Sequence, residues 1–294
     1  AWLGEGGSNP SLPGAAVRRL AVVREGETTA LYYCSQEDGR YYACSTALAY
    51  PGHMENTLEA YSPNGAIFAF QSEQEGLESL GGDMLLTAQA PSPRGYRGTN
   101  PFALGDSAQV ERLQQALGFR VQESSVYEIP GGVRVREGQE TLEVQSSGIV
   151  RYHAAQTSAS RYQVEGESSA ALIEAARTLA QNTLGESCGA ARLYLDSLER
   201  QEDGSWTVRF GYCLDGAAVD VAATGWAAEF TVEEGYITGY TLHFRSYEET
   251  GQRVSQLPLA QAAAALEALD GAGRELLVCY TDSGETVTAG WTAE

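Results

Sequence analysis

Residues 127–152, YEIPGGVRVREGQETLEVQSSGIVRY, and residues 212–240, YCLDGAAVDVAATGWAAEFTVEEGYITGY, carry one succession of cues twice. In the first, Tyr127, Gly131, Leu142, Val144, Gly148, Ile149 and Tyr152 mark a strand, turn, strand, turn, strand series. In the second, Tyr212, Gly216, Phe230, Val232, Gly235, Ile237 and Tyr240 follow in the same order with slightly different spacing. Apolar residues at period two predict strands with one buried face, and the glycines between them predict hairpin turns. A helical pattern opens each series. Residues 108–117 run up to Gly118; residues 169–184 place Leu172, Ile173, Ala176, Leu179 and Ala180 on one stripe and stop at Gly185. An amphipathic helix lying on one face of an antiparallel meander is a two-layer unit. Its double use predicts an α+β fold of repeated subdomains, each an antiparallel β-meander with one helix packed on one face. Ordinary hairpin chemistry also produces such a series without any repeat.

Outward from this pair, residues 1–14 are rich in Gly, Ser, Asn and Pro and read as a flexible leader. A short apolar strand is expected at 19–24, and a hairpin at 28–36 and 40–48 about the Asp38-Gly39 turn signal. A strand at 66–70 and a short helix at 73–80, ended by Gly81-Gly82, come next. Residues 88–106, dense in Pro, Ser and Gly, read as a connector. After the second series, a helix at 258–269 with Pro258 in its first turn and strands at 275–281 and 285–291 about Asp282-Ser283-Gly284 complete the chain. The division expected is a leader (1–14), an N-terminal lobe (15–160, made of a hairpin-rich part 15–90, the connector 88–106 and a helix-plus-meander 107–160) and a C-terminal lobe (161–294).

The 294 residues suffice for two ordinary domains, and 43% are hydrophobic, so the chain is globular. Tyr (16) outnumbers Phe (7), which suits half-buried strands. Acids number 39 against 19 basic residues, all Arg, for a net charge of −20. That field repels phosphate backbones and anionic lipid head groups, which disfavours nucleic-acid binding and attachment to acidic membranes. No apolar stretch approaches the roughly 18 residues that span a bilayer, and a signal peptide or N-terminal anchor upstream of Ala1 is expected.

The five cysteines, Cys34, Cys44, Cys188, Cys213 and Cys279, form no CxxC and no Cys/His cluster, which argues against zinc. A three-residue loop centred on Gly39 would set Cys34 opposite Cys44 for a cross-strand disulfide in an oxidising compartment; a two-residue turn would offset them and leave both reduced.

Acid–base or metal chemistry by histidine would have to use His53, His153 or His243, and none has metal or helical pair spacing. No GxSxG or SxxK marks a serine nucleophile. Glu233-Glu234 and Glu248-Glu249 could serve a glycosidase, but strand ends ordinarily collect solvated acids. A P-loop is impossible without Lys, and Asp196, Asp203, Asp215 and Asp220 do not make a DxDxDG calcium loop. No catalytic, metal or cofactor-binding residue is therefore assigned, and no cofactor is expected. Tyr32, Tyr33, Tyr41 and Tyr42 form either a recognition platform or, by alternation, one ring inward and the next outward.

Residues 212–291 also carry a set of short motifs. These are Tyr212, Asp215 and Gly216; Phe230-Thr231-Val232; Gly235-Tyr236-Ile237; Arg245; Leu257-Pro258 opening an Ala-rich helix; Leu276-Leu277-Val278-Cys279-Tyr280; and Trp291. Leu117-Gly118-Phe119 and Gly148-Ile149-Val150-Arg151-Tyr152 repeat the theme upstream. On these motifs roughly two thirds of the chain resembles the extracytoplasmic part of the YycH/YycI regulatory proteins, with the first 90 residues matching less. The resemblance implies a non-enzymatic regulator at the cell surface, tethered by an N-terminal helix. It implies a protein partner, a transmembrane sensor histidine kinase or a paralogous regulator, and no catalytic residues to carry over. The alternatives are a secreted cell-wall-glycan binder or glycan-acting enzyme, expected to show a pocket of convergent acids and aromatics, and a propeptide-like inhibitor with an exposed strand edge.

Overall fold

The structure, a computed structural model, describes residues 17–35, 40–49, 52–60, 65–82, 84–87, 91–102, 107–166, 168–222, 224–268 and 275–293. The chain forms two compact units, residues 1–64 and 65–294. The fold is mixed α+β and mostly sheet. Among the described residues no helix is long and apolar enough to cross a membrane.

The first unit holds β1 (Val17–Glu25), β2 (Thr28–Ser35) and β3 (Tyr41–Ala49) in a three-stranded antiparallel sheet, followed by α1 (Gly52–Glu59). The β2–β3 register sets Cys34 against Tyr41 and Cys44 against Leu31. The two thiols are therefore offset along the strands rather than opposite each other. The leader at 1–14 and the Asp38-Gly39 turn lie outside the described residues.

The second unit contains β4 (Ile67–Phe68), β5 (Leu85–Leu86), β6 (Arg94–Thr99), α2 (Ser107–Ala116), β7 (Ser125–Ile129), β8 (Gly132–Glu137), β9 (Glu140–Gln145), β10 (Ile149–Ala154) and α3 (Ser169–Ala180). It continues with β11 (Arg192–Arg200), β12 (Trp206–Leu214), β13 (Ala217–Val221), β14 (Ala228–Glu233), β15 (Tyr236–His243), β16 (Ser246–Arg253), α4 (Leu259–Glu267), β17 (Leu276–Asp282) and β18 (Thr286–Ala293).

A 13-stranded sheet branches at β12. One edge of β12 pairs with β11 throughout; the other is shared, Trp206–Phe210 against β14 and Tyr212–Leu214 against β13. From β14 an antiparallel arm runs through β15, β10, β9 and β8 to β7. From β13 the pairing passes, parallel, to β17, then to β18, β6 and β16. Gly189, just before β11, bridges Tyr247 of β16, with Ala190 N–H donating to the Tyr247 carbonyl at 2.8 Å, so this second arm returns to its start as a ring. Gly189 is required there: its φ is +66°, and a Cβ would collide with the Tyr247 carbonyl.

The ring buries Tyr212, Tyr247 and Tyr280 together with the Arg245–Asp282 ion pair. Arg245 Nε meets Asp282 Oδ2 at 2.6 Å, and the Tyr247 hydroxyl donates to the same oxygen at 2.8 Å. The arm from β14 to β7 buries Val135, Leu142, Val144, Val150, Phe230 and Leu242. α3 lies against β11, β12 and β14 and turns Leu172, Ala176 and Ala180 inward before a π-helical turn, Gln181–Gly185. A satellite core joins Leu77, Leu80, Met84 and Leu86 to Ala263, Leu266 and Leu276.

Three expectations are corrected here. The boundary at 160/161 falls inside one unit, because β10 pairs with β15 in register from Ile149↔His243 to His153↔Gly239. The helix at 73–80 is replaced by turns, with Gly76 at φ +84° and Leu77 and Leu80 buried. The connector at 88–106 contains β6, inserted between β16 and β18. Its glycines, read as loop formers, are demanded by close approach: a Cβ on Gly98 would lie 2.6 Å from Arg245 Nη2 and 3.2 Å from both Asp282 carboxylate oxygens.

Candidate functional site: the open face of the β7–β14 arm

Strict alternation gives this arm two chemically different faces. Along β9, Leu142 and Val144 face the core while Thr141 and Glu143 face outward; along β10, Val150 and Tyr152 are buried while Arg151 and His153 are exposed; along β14, Phe230 and Val232 are buried while Glu229 and Thr231 face outward.

The register then aligns the outward side chains in a row across the strands. Tyr127 lies opposite Arg134, Arg134 opposite Glu143, and Glu143 opposite Arg151. Arg151 faces Thr241 on β15, Thr241 faces Glu229, and Glu229 faces Arg209 of β12. Directly opposed side chains in a sheet lie close enough to pair, and here the charges alternate. Arg134 Nε donates to Glu143 Oε1 at 2.7 Å, and Arg209 Nε to Glu229 Oε2 at 2.7 Å, with Glu199 as a second partner of Arg209 at 3.2 Å. Glu143, directly opposite Arg151, and Glu229, one strand beyond Thr241, are thus committed elsewhere, and among the described residues Arg151 makes no ion pair or hydrogen bond.

A parallel row brings Thr141, His153, Gly239 and Thr231 into line. Because Gly239 contributes no side chain, a hollow of about 510 Å³ opens between Arg151, His153, Thr231 and Thr241. A Cβ on Gly239 would be only in ordinary contact, 3.6 Å from the Tyr152 carbonyl, so the backbone does not itself demand glycine.

The face ends at β7, which among the described residues pairs with β8 alone and exposes Val126 (51%) and Tyr127 (42%). Its free edge offers a row of unpaired backbone groups.

The underside of the sheet fixes this geometry. Tyr152 and Tyr240 are opposed on β10 and β15, and their rings stack at 4.8 Å. The Tyr152 hydroxyl donates to Glu140 at 2.6 Å, and the Arg161 guanidinium grips the same carboxylate. Burial alone would raise the Glu140 pKa, but the hydrogen bonds from Arg161 and Tyr152 and the Arg161 charge outweigh it and hold the carboxyl below its ordinary range. Burial also raises the Tyr152, Tyr162 and Tyr240 hydroxyls well above the ordinary tyrosine value, so they act as neutral hydrogen-bonding groups.

The residues weighed in the sequence are dispersed. His153 borders the hollow; His243 is buried with Nδ1 3.1 Å from the Thr224 hydroxyl, its pKa pushed down to about 4 by burial and then by the nearby Arg245 charge. The His53 side chain lies outside the described residues. Glu248 and Glu249 pair with Arg97 at 2.5 Å and Arg94 at 3.1 Å across β16 and β6. Glu233 and Glu234 sit at the β14–β15 turn, with Glu234 at φ +47°. Asp215 accepts from the Tyr96 hydroxyl at 3.0 Å, Asp203 from Ser205 N–H at 2.9 Å, and Asp196 from the Tyr194 hydroxyl at 3.4 Å. Among the described residues no three metal-ligating side chains converge. In the first unit Tyr33 stacks on Tyr42 at 5.4 Å, while Tyr41 is 70% exposed.

The row through Arg134, Glu143, Arg151, Glu229 and Arg209 was not singled out from the sequence. Period-two alternation in VRVRE, TLEV, IVRYH and AEFTV signals the outward positions; only strand register shows that they line up. The chain matches no family model, no curated protein and no solved structure.

Proposed function

We propose that the protein is a non-catalytic regulatory module that binds another protein through the open sheet face and its β7 edge. The observation that carries protein binding is β7 itself, which among the described residues pairs with β8 alone and exposes Val126 and Tyr127 beside the cross-strand pairs Arg134–Glu143 and Arg209–Glu229; an exposed edge also fits a propeptide-like inhibitor, and it is the YycH/YycI resemblance that favours the regulator. An extended partner segment added at such an edge gains main-chain hydrogen bonds, and alternate side chains give it specificity. Natural proteins usually protect so exposed an edge with charge or proline, and here the only charge in the strand is Glu128.

The repeated-subdomain reading belongs to the same proposal. If the two series form a repeat, a local twofold axis between β10 and β15 would set equivalent residues opposite each other, and Tyr152 and Tyr240 are such partners. The resemblance to YycH/YycI proteins supports an extracytoplasmic, membrane-anchored setting with a transmembrane sensor histidine kinase as partner.

Crosslinking and affinity capture of the full-length protein from its own membranes test this. The expected result is recovery of a sensor kinase that is lost when Val126→Lys is introduced on the edge, together with protease accessibility of the protein on intact cells. Recovery unchanged by Val126→Lys, or recovery of cell-wall fragments alone, sinks the reading.

A further inference from the structure

The hollow over Gly239 is a second feature of the open face, independent of the β7 edge. We infer that it binds a small carboxylate-bearing sugar, with Arg151 holding the carboxylate. In a chain of net charge −20, a guanidinium that lies directly opposite a glutamate and yet is not paired with it is unusual. It is available because Arg134 has taken Glu143 and Arg209 has taken Glu229. Those two pairs also hold the nearby acids in place, Glu143 directly opposite Arg151 and Glu229 one strand beyond Thr241.

A guanidinium presents two parallel donors that match the two oxygens of a carboxylate. Around it stand groups suited to hydroxyls: the Thr141, Thr231 and Thr241 side chains, the His153 ring, and the outer oxygens of Glu143 and Glu229. Threonine hydroxyls both donate and accept, so a polyol finds partners of either polarity. The volume, about 510 Å³, lies in the range of small-ligand sites and suits one or two sugar rings. Arg134 and Arg151 balance Glu143 and Glu229 around the hollow, and since Glu143 is paired with Arg134 and Glu229 with Arg209, Arg151 is, among the described residues, the unpaired cation of the lining and matches a single negative charge. No tyrosine ring lies flat across the hollow as a stacking platform, because Tyr152 and Tyr240 stack on each other on the buried side of the sheet. The charge therefore decides affinity.

The test is a titration of the full chain, followed by amide NMR, with glucuronate, glucose, inorganic phosphate and a short acidic peptide as separate probes. Two variants accompany it: Arg151→Gln, which removes the cation at an exposed position, and Gly239→Val, which fills the hollow and keeps the charge. The expected result is a saturable shift of the amides around Gly239 and Thr241 with glucuronate. Affinity for glucose should be at least tenfold lower, and each variant should lose at least tenfold for glucuronate while retaining the wild-type spectrum elsewhere. The inference is overturned if glucuronate does not bind, if glucose or phosphate binds as well, if the peptide alone saturates, or if both variants bind like the wild type.

Discussion

In the ring of strands, the Arg245 and Asp282 side chains are 8% and 1% exposed; on the open face, those of Arg134 and Glu143 are 39% and 25% exposed. Both are arginine–carboxylate pairs, but Arg245 reaches both oxygens of Asp282 while Arg134 reaches one oxygen of Glu143, and the surroundings give the two pairs different jobs. The buried pair has left water at a cost of several kcal/mol per ion, offset by hydrogen bonds that occupy both carboxylate oxygens. Asp282 accepts from Arg245 twice, from the Tyr247 hydroxyl and from Gly284 N–H, and the Arg245 guanidinium also reaches the Gly284 carbonyl. The exposed pair competes with solvent and adds little stability, but it fixes where charge stands on a surface. Burial turns an ion pair into a structural element; exposure leaves it a positioning device.

The comparison breaks most visibly at Asp282. Asp282→Ala leaves Arg245 buried without its partner and should cost about 3–5 kcal/mol, read by chemical denaturation.

pH sharpens the same contrast. His243 lies on the buried side of the molecule, next to Arg245, and its folded pKa of about 4 is below the ordinary value of 6.5. The unfolded chain therefore takes up the proton first. The stability that neutral His243 contributes is complete above pH 6.5 and is lost as pH falls from 6.5 to 4, about 3 kcal/mol in all. Denaturation curves across that window should flatten in His243→Gln and keep their slope in Arg134→Gln.

A smaller effect is expected at Gly98. Gly98→Ala places a Cβ against a guanidinium that cannot yield without releasing Asp282, and overpacking of this kind costs about 1–3 kcal/mol. Thermal melts should show the loss, whereas Gly239→Ala, where a Cβ meets nothing closer than 3.6 Å, should melt like the wild type. Smallest of all, Glu143→Gln on the open face should change stability by less than about 1 kcal/mol, while freeing Arg134 and so altering whatever the hollow binds.

Much of the element map was legible because it rests on local rules. The helices expected at 108–117, 169–184 and 258–269 correspond to α2, α3 with its π-helical turn, and α4, signalled by the Gly118 stop, by an apolar stripe ending at Gly185, and by Pro258 ahead of an Ala-rich run. The strands at 275–281 and 285–291 correspond to β17 and β18, about the expected Asp282-Ser283-Gly284 turn. Where the reading failed, the deciding contact was distant in sequence. Gly95 and Gly98 read as loop residues, yet they sit in β6, paired with the distant strands β16 and β18, where an added Cβ would meet Thr250 and Arg245. Residues 73–80 have helical composition, yet turns place Leu77 and Leu80 in a core shared with Ala263 and Leu266. The candidate site fared similarly. His153 was among the residues weighed, but Arg151 was noted only within a strand motif, since an arginine in an alternating strand gives no sign of its cross-strand partners.

The sequence by itself determined the α+β class, the acidic field, and which side chains of alternating strands such as β9, β10 and β14 share a face, because composition and period-two alternation are properties of a short stretch of backbone. Tertiary structure alone decided that the sheet branches at β12, that Gly189 meets Tyr247 to close a ring, that Cys34 and Cys44 are out of register, and that Arg151 is left unpaired among the described residues. Each of these depends on which strands lie side by side and in what register. Register is set by the summed packing of many distant residues rather than by any local preference, and a slip of one position would have turned every one of those side chains to the other face.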